Sequence, residues 1–239
     1  ELILSGANTF TGNLTNRAGV VTFSHNQSAS TGIIVVDNTA PVVLHNSQPL
    51  TTLTNNILLR ASGSTVDVAV DSGTTFELTG VISGSHPWSA IGLGTIKLGG
   101  VSANTYVGAL AIAQGTVIVA KDVALGSIIN GTVVSNNATL AFSGGFEYTA
   151  NEVITLNGTG VSGGAALNNL SDDNAFDGTV ALAANSSIGA SSGSLAFNGP
   201  ITGSFNVTKV GGGQVDLFAL NNTYLDTHVS TGTFGVWYP

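Results

Sequence analysis

Three stretches of this 239-residue chain carry the same short series of features in the same order. Ile82-Ser83-Gly84-Ser85 returns as Ile201-Thr202-Gly203-Ser204, 119 residues later. Gly92-Leu93-Gly94-Thr95-Ile96-Lys97-Leu98 returns at the same offset as Gly211-Gly212-Gly213-Gln214-Val215-Asp216-Leu217. Asn104-Thr105-Tyr106 returns as Asn222-Thr223-Tyr224 after 118 residues, and Gly115-Thr116 as Gly232-Thr233 after 117. A third copy opens the chain with Leu2-Ile3-Leu4, Asn8-Thr9-Phe10 and then Gly19. Order and local spacing persist while the offsets drift by one or two residues. Stacked structural repeats with connections of unequal length behave in this way.

The segments between the turns read as strands. Val66, Val68 and Val70 alternate with Asp67 and Ala69, and Phe76 and Leu78 alternate with Thr75 and Glu77. Ile96/Leu98, Leu140/Phe142, Ile154/Leu156, Leu195/Phe197 and Val215/Leu217 continue the period of two expected of half-buried strands. Turn signals separate them: Ser62-Gly63, Asn130-Gly131, Asn157-Gly158 and the triple glycine at 211–213. No segment offers a capped helical pattern, and the Ala-rich stretch 109–113 keeps Leu110 and Ile112 in strand alternation. Repeats of roughly 20–25 residues stacked at the ~4.8 Å inter-strand spacing predict about ten coils and a rod ~50 Å long. The fold expected is all-β, a right-handed parallel β-helix (β-solenoid) over 1–239, the hand following from parallel crossovers.

Composition narrows the function classes. Only 8% of residues are charged but 43% are apolar, so the chain has the means to fold. The net charge is −8, and Arg17, Arg60, Lys97, Lys121 and Lys209 are dispersed. No basic cluster exists to neutralise nucleic-acid phosphates or to hold an anionic membrane surface. There is no cysteine, hence no disulfide framework or thiol chemistry. No run approaches the ~18 apolar residues of a membrane span. The chain begins at Glu1 without an initiator Met, as expected of a mature or excised segment.

At the repeated residues the chain resembles the autotransporter-associated β-strand repeat family, found in passenger regions of bacterial autotransporters and in giant bacterial surface proteins. Ser5-Gly6-Ala7-Asn8-Thr9-Phe10-Thr11-Gly12 and Asn104-Thr105-Tyr106-Val107-Gly108 match its Gly-x-Asn-Thr-Tyr-x-Gly element closely. The third copy departs, with Leu225-Asp226 where Gly is usual, and Lys121-Asp122-Val123-Ala124-Leu125-Gly126 is similar to the family's Asp-x-Ala-Leu-Gly turn. Residues 1–23 form a partial repeat, 63–119 and 182–236 contain the matching motifs, and 24–62 match poorly. The resemblance implies an extracellular, bacterial-surface setting and a solenoid fold; it brings no catalytic residues.

Residue patterns that carry chemistry elsewhere have plainer readings here. Gly158-Thr159-Gly160-Val161-Ser162-Gly163 fits a dinucleotide fingerprint but lacks the helix that would hold a pyrophosphate. Gly189-Ala190-Ser191-Ser192-Gly193 fits a nucleophile elbow, with His228 the single histidine after it, and reads as a turn. His25, His45, His86 and His228 never fall at zinc-ligand spacing. Asp172, Asp173 and Asp177 form the one carboxylate cluster, a weak Ca²⁺ candidate against the simpler reading of an acidic loop. Nine Asn-x-Ser/Thr sequons (Asn13, Asn26, Asn130, Asn137, Asn157, Asn169, Asn185, Asn206 and Asn221) arise easily in so Thr- and Ser-rich a chain. Pectate-lyase-like enzymes share the solenoid but need basic residues beside the substrate, and glycosidases need converging carboxylates.

The expectation is therefore a non-enzymatic surface rod with no cofactor, either a fibre element or an adhesin passenger segment, with a polysaccharide-degrading enzyme as a remote alternative. Expected partners are other copies of the chain or neighbouring repeats of a longer one, with contacts to surface glycans or receptors as a further option. Leu2 and Leu4 at one end, and Phe234, Val236, Trp237 and Tyr238 at the other, are expected to form uncapped edges suited to head-to-tail assembly.

Overall fold

Strands as short as these have no core of their own, so their alternating apolar residues are buried only when coil lies on coil. The computed structural model describes residues 1–37, 39–60 and 63–237. In it, about eleven coils stack into a parallel β-solenoid. Among the described residues the one helical turn is Val161–Gly163.

Each coil visits three faces. The first is a ten-stranded parallel sheet from Leu2–Leu4 through Val66–Val70 and Leu110–Ile112 to Ile201–Thr202. The second, nine-stranded, runs from Leu50–Leu53 to Thr227–Val229. The third has four strands from Leu14–Asn16 to Ile82–Gly84, then five from Glu147–Tyr148 to Thr233–Val236. Irregular backbone bridges those two sets: Thr105 N–H donates to Ile82 O at 2.9 Å and Ser127 N–H to Tyr106 O at 2.8 Å. The last step to the upper set is made through side chains, Leu125 N–H donating to Tyr148 hydroxyl and Thr149 N–H to Asp122 Oδ1.

Register on the first face sets the coil length. Val68, Ala90, Ile112, Val134 and Leu156 are successive partners, and their numbers rise by the same step each time. That step makes a coil of roughly 22 residues, within the range usual for solenoid repeats. Coils elsewhere on this face vary, the shortest step being Leu2 to Val21 and the longest Leu156 to Leu182. The poorly matching stretch 24–62 follows the same ladder, with Val36 paired to Leu59 and Val42 to Val66.

The interior is a set of apolar columns. Phe142, Tyr148, Phe176 and Phe197 form a continuous aromatic run with ring centroids 5.6–6.5 Å apart. Burying one such ring contributes roughly 1.5–3 kcal/mol, so the columns carry the stability. Lys209 breaks the pattern at an inward position; its Nζ donates to the carbonyls of Val210, Gly211 and Thr231 at 2.8, 2.8 and 3.1 Å. Burial lowers the pKa of this ammonium.

The three motif copies do not lie on one face. Leu2–Leu4 is on the first face, Thr95–Leu98 on the second and Gln214–Leu217 on the third. Each copy is thus rotated by a third of a turn from the others. What they share is the geometry of a coil corner. Gly19, Gly115 and Gly232 all adopt positive φ, at 80°, 66° and 74°, a region that L side chains enter with strain. The motif asparagine ties coils together: Asn8 Nδ2 donates to Ser28 O, and Asn222 Oδ1 accepts from Ile201 N–H. Asn104 spans three coils, accepting from Ile82 N–H at 2.9 Å and donating to Ala124 O at 2.7 Å, with Lys121 Nζ also on its Oδ1.

Register can be tested at adjacent positions. Val68 is buried and Asp67 faces outward, where partial burial raises its carboxyl pKa and a Ser89 hydrogen bond works against the rise without cancelling it. Val68→Asp is expected to cost on the order of 3–5 kcal/mol in denaturant unfolding, by placing an unpaired charge in the column. Asp67→Asn should change stability by less than about 0.5 kcal/mol. Equal losses would contradict the register.

Candidate functional site

Stacking converts residues about one coil apart in sequence into neighbours, and on the outer surface of the third face it gathers most of the polar chemistry. One outward column runs Glu147, Ala175, Ala196, Asp216, Gly235, each in register with the next. Beside it, one residue past the inward rungs, run Thr149, Asp177, Asn198, Phe218 and Trp237. Asn198 Nδ2 donates to Asp177 Oδ1 at 2.7 Å and to Glu147 Oε1 at 3.2 Å, so one amide holds two carboxylates. Higher up, Trp237 Nε1 donates to Asp216 Oδ1 at 2.7 Å. Gln214 Nε2 reaches the same carboxylate, at 2.7 Å to Oδ2 and 2.9 Å to Oδ1. The rings of Phe218 and Trp237 stack at 6.2 Å and 12°, both about half exposed. Ala175 and Ala196 leave a shallow depression, edged by Glu147, Asp173 and Ser194.

A second assembly crosses the first face. Thr22 Oγ1 lies 2.8 Å from Glu1 Oε1 and 3.1 Å from His45 Nδ1, and His45 Nε2 lies 3.1 Å from Asp71 Oδ1. Hydroxyl, imidazole and carboxylate fall in the order of a nucleophilic triad. Thr22 is buried at 4% exposure, however, and its hydroxyl donates to Glu1 rather than to the imidazole. The chain of bonds clamps the first coils together.

The third polar group is internal. Glu152 is fully buried; Thr132 Oγ1 donates to its Oε1 at 3.1 Å, and Oε2 has no partner. Desolvation pushes its pKa up to about 7, with the Thr132 bond working in the opposite direction. Tyr148 hydroxyl accepts from Leu125 N–H, and Tyr106 and Trp88 are buried edge to face with ring centroids 5.9 Å apart. Burial raises the pKa of both tyrosines well above the usual value. A perturbed carboxyl often marks an active site, but this one is sealed in the core.

The residues singled out by sequence are not brought together as a Ca²⁺ site. Asp173 opens the strand Asp173–Phe176 and Asp177 follows its end, which separates them by about 13 Å at ~3.3 Å per residue. Each carboxylate has its own partner: Asp172 takes Ser171 Oγ, Asp173 takes Ser194 Oγ, and Asp177 takes Asn198. Among the described residues no group of three metal-ligating side chains converges. The dinucleotide-like glycines lie in the loop and 3₁₀ turn that precede Leu167–Ser171, and Ser191 Oγ accepts from Asn168 Nδ2 at a strand end. Of the sequons, Asn169 is fully buried and tied to three carbonyls. Leu2 and Leu4 are the first rungs of the inward columns, Phe234 and Val236 the last. Trp237 follows the last strand, with its indole on the outer face against Phe218 and Asp216. Tyr238 lies outside the described residues, as does Ser62 of the expected Ser-Gly turn.

These features define a parallel β-solenoid with outward polar strips and no helix long and apolar enough to cross a membrane among its described residues. Searches of family models, curated proteins and solved structures found no match to the chain.

Glu152 makes stability depend on pH with a definite sign. Its folded pKa lies above the ordinary 4.5, so the folded state retains a proton that the unfolded state releases. The contribution is full below about pH 4.5 and is lost as pH rises to about 7, amounting to about 3 kcal/mol at most. Melting curves from pH 4 to 8 should show Glu152→Gln losing less stability over this interval than the parent chain. Parallel curves would contradict the assignment.

Proposed function

We propose that this chain is a non-enzymatic structural rod of a bacterial cell surface, extending head to tail through its terminal coils. The observation that carries the reading is the rotation of the motif copies. A repeat that displays a ligand-binding surface gains from presenting it along one line, whereas these copies occupy three different faces. The motif's recurring chemistry goes into corner glycines and into asparagines that join coils. Its role is to build length.

The terminal coils support growth along the axis. Leu2 and Ile3 are 46% and 58% exposed at one end, and Val229 and Val236 are 47% and 45% exposed at the other. The strands bearing them pair on one side only among the described residues, leaving backbone groups to template another strand. Such edges fit the opposite end of another copy, a heterologous contact that propagates, or the neighbouring repeats of a longer chain. The surface setting rests on the repeat resemblance and agrees with the absence of cysteine.

Light scattering against concentration, with negative-stain imaging, tests the reading. Mass should grow with concentration into rods in multiples of about 50 Å, and Leu4→Asp or Val236→Asp should abolish the growth. A compact monomer at every concentration would overturn self-assembly.

A further inference from the structure

We infer that the outer surface of the third face, from Glu147 to Trp237, binds an extended oligosaccharide bearing free amino groups, lying parallel to the rod axis. The inference goes beyond the rod reading.

The first support is shape. The two outward columns advance together through four inter-coil steps, a length of about 19 Å at ~4.8 Å each. In the column Glu147, Ala175, Ala196, Asp216, Gly235, small residues lie between and beyond the carboxylates. Ala175 and Ala196 leave an open trough edged by Glu147 and Asp173, with Asp216 covered beneath Gln214 and Trp237 at its upper end, too shallow to engulf a compact ligand and suited to a chain laid lengthwise.

The second support is the aromatic platform. Exposed aromatic rings on a sheet are free to rotate unless something holds them. Here Trp237 is fixed by its Nε1 bond to Asp216 and by stacking on Phe218, and Gly235 beneath leaves room for the indole: a Cβ there would fall 2.8 Å from Trp237 Nε1. A rigid, half-exposed apolar plane costs little entropy on binding. Its flat face suits the C–H face of a pyranose ring.

The third support is polarity. Asn198 holds Glu147 and Asp177 by one oxygen each, and the other oxygens, Glu147 Oε2 and Asp177 Oδ2, have no hydrogen bond among the described residues. Carboxylates so held are prepared acceptors for sugar hydroxyl and ammonium groups. Asp173 adds to the field, and no Lys or Arg lies in either column. An acidic glycan is repelled by such a strip and an amino-bearing one attracted. Repeating the contact along the strip raises avidity without requiring a deep pocket.

The chain has two tryptophans, of which Trp88 is buried and Trp237 exposed, so ligand-dependent changes in tryptophan fluorescence report on the strip. Titrating the full chain with a glucosamine hexamer should shift Trp237 emission and protect it from acrylamide quenching. Calorimetric affinity should fall about tenfold in Phe218→Ala, and by a similar factor in the double variant Glu147→Gln/Asp177→Asn, with unchanged melting temperatures. Should Phe218→Ala melt early, the carboxylate double variant, which keeps size and shape, decides the matter. A galacturonate hexamer should produce neither signal, and an N-acetylglucosamine hexamer should bind more weakly than its amino counterpart. No binding of the glucosamine hexamer, equal binding of the acidic one, or an affinity indifferent to the carboxylate pair would overturn the inference.

Discussion

The structure depends on the parallel hydrogen-bond ladder between coils. A single coil has too little surface to bury a core by itself, and each gains one only by lying against the coils above and below. The inward columns and the ladder therefore stand or fall together. A one-residue slip would turn Val68, Phe76 and Ile96 outward and bring Asp67, Glu77 and Lys97 in, which the interior cannot accommodate. This cost is what makes the register unique despite so little charge. On the outside, Lys97 and Glu77 meet at 2.8 Å in the same register, a modest contribution in partly solvated surroundings.

Corners are the harder problem, because the ladder's backbone groups turn away from one another there. Asparagine supplies an acceptor and a donor on one short side chain, and Asn104 uses both to hold the coils before and after its own. Asn55 and Asn169 serve similar corners with three carbonyls each. These corners are alike on all three faces, so a motif that specifies one corner can recur after four or five coils and a third. For the same reason the offset between the second and third copies is not a whole number of coils.

The alternation of Val66, Val68 and Val70 was enough to orient a strand, and the drifting repeats were enough to indicate stacking. Neither disclosed which distant residues would become neighbours. Glu147, Asp177 and Asn198 meet, as do Thr22, His45 and Asp71, only when the length of every intervening coil is known. The loop at 157–166 lengthens one coil and defeats a fixed period. Polar side chains recurring at intervals close to one coil were the one signal that could have exposed them. Asp173 and Asp177 do not converge for a local reason, since nearness in sequence along a strand separates side chains that the stack does not reunite. Lys209 and Glu152 were illegible because their burial is made tolerable by carbonyls and a threonine hydroxyl contributed by other coils.

The absence of cysteine permits a direct measurement of the ladder. Ala111 and Val133 are outward partners on neighbouring coils of the first face. With cysteine at both positions, mild oxidation should close an intrachain disulfide in high yield without lowering the melting temperature, because paired strands place Cα atoms within bonding range. Cysteines at Ala111 and Thr155, two coils apart on the same column, should remain unbridged in the monomer. Bridging of the second pair, or failure of the first, would contradict the coil-by-coil register on which the whole account rests.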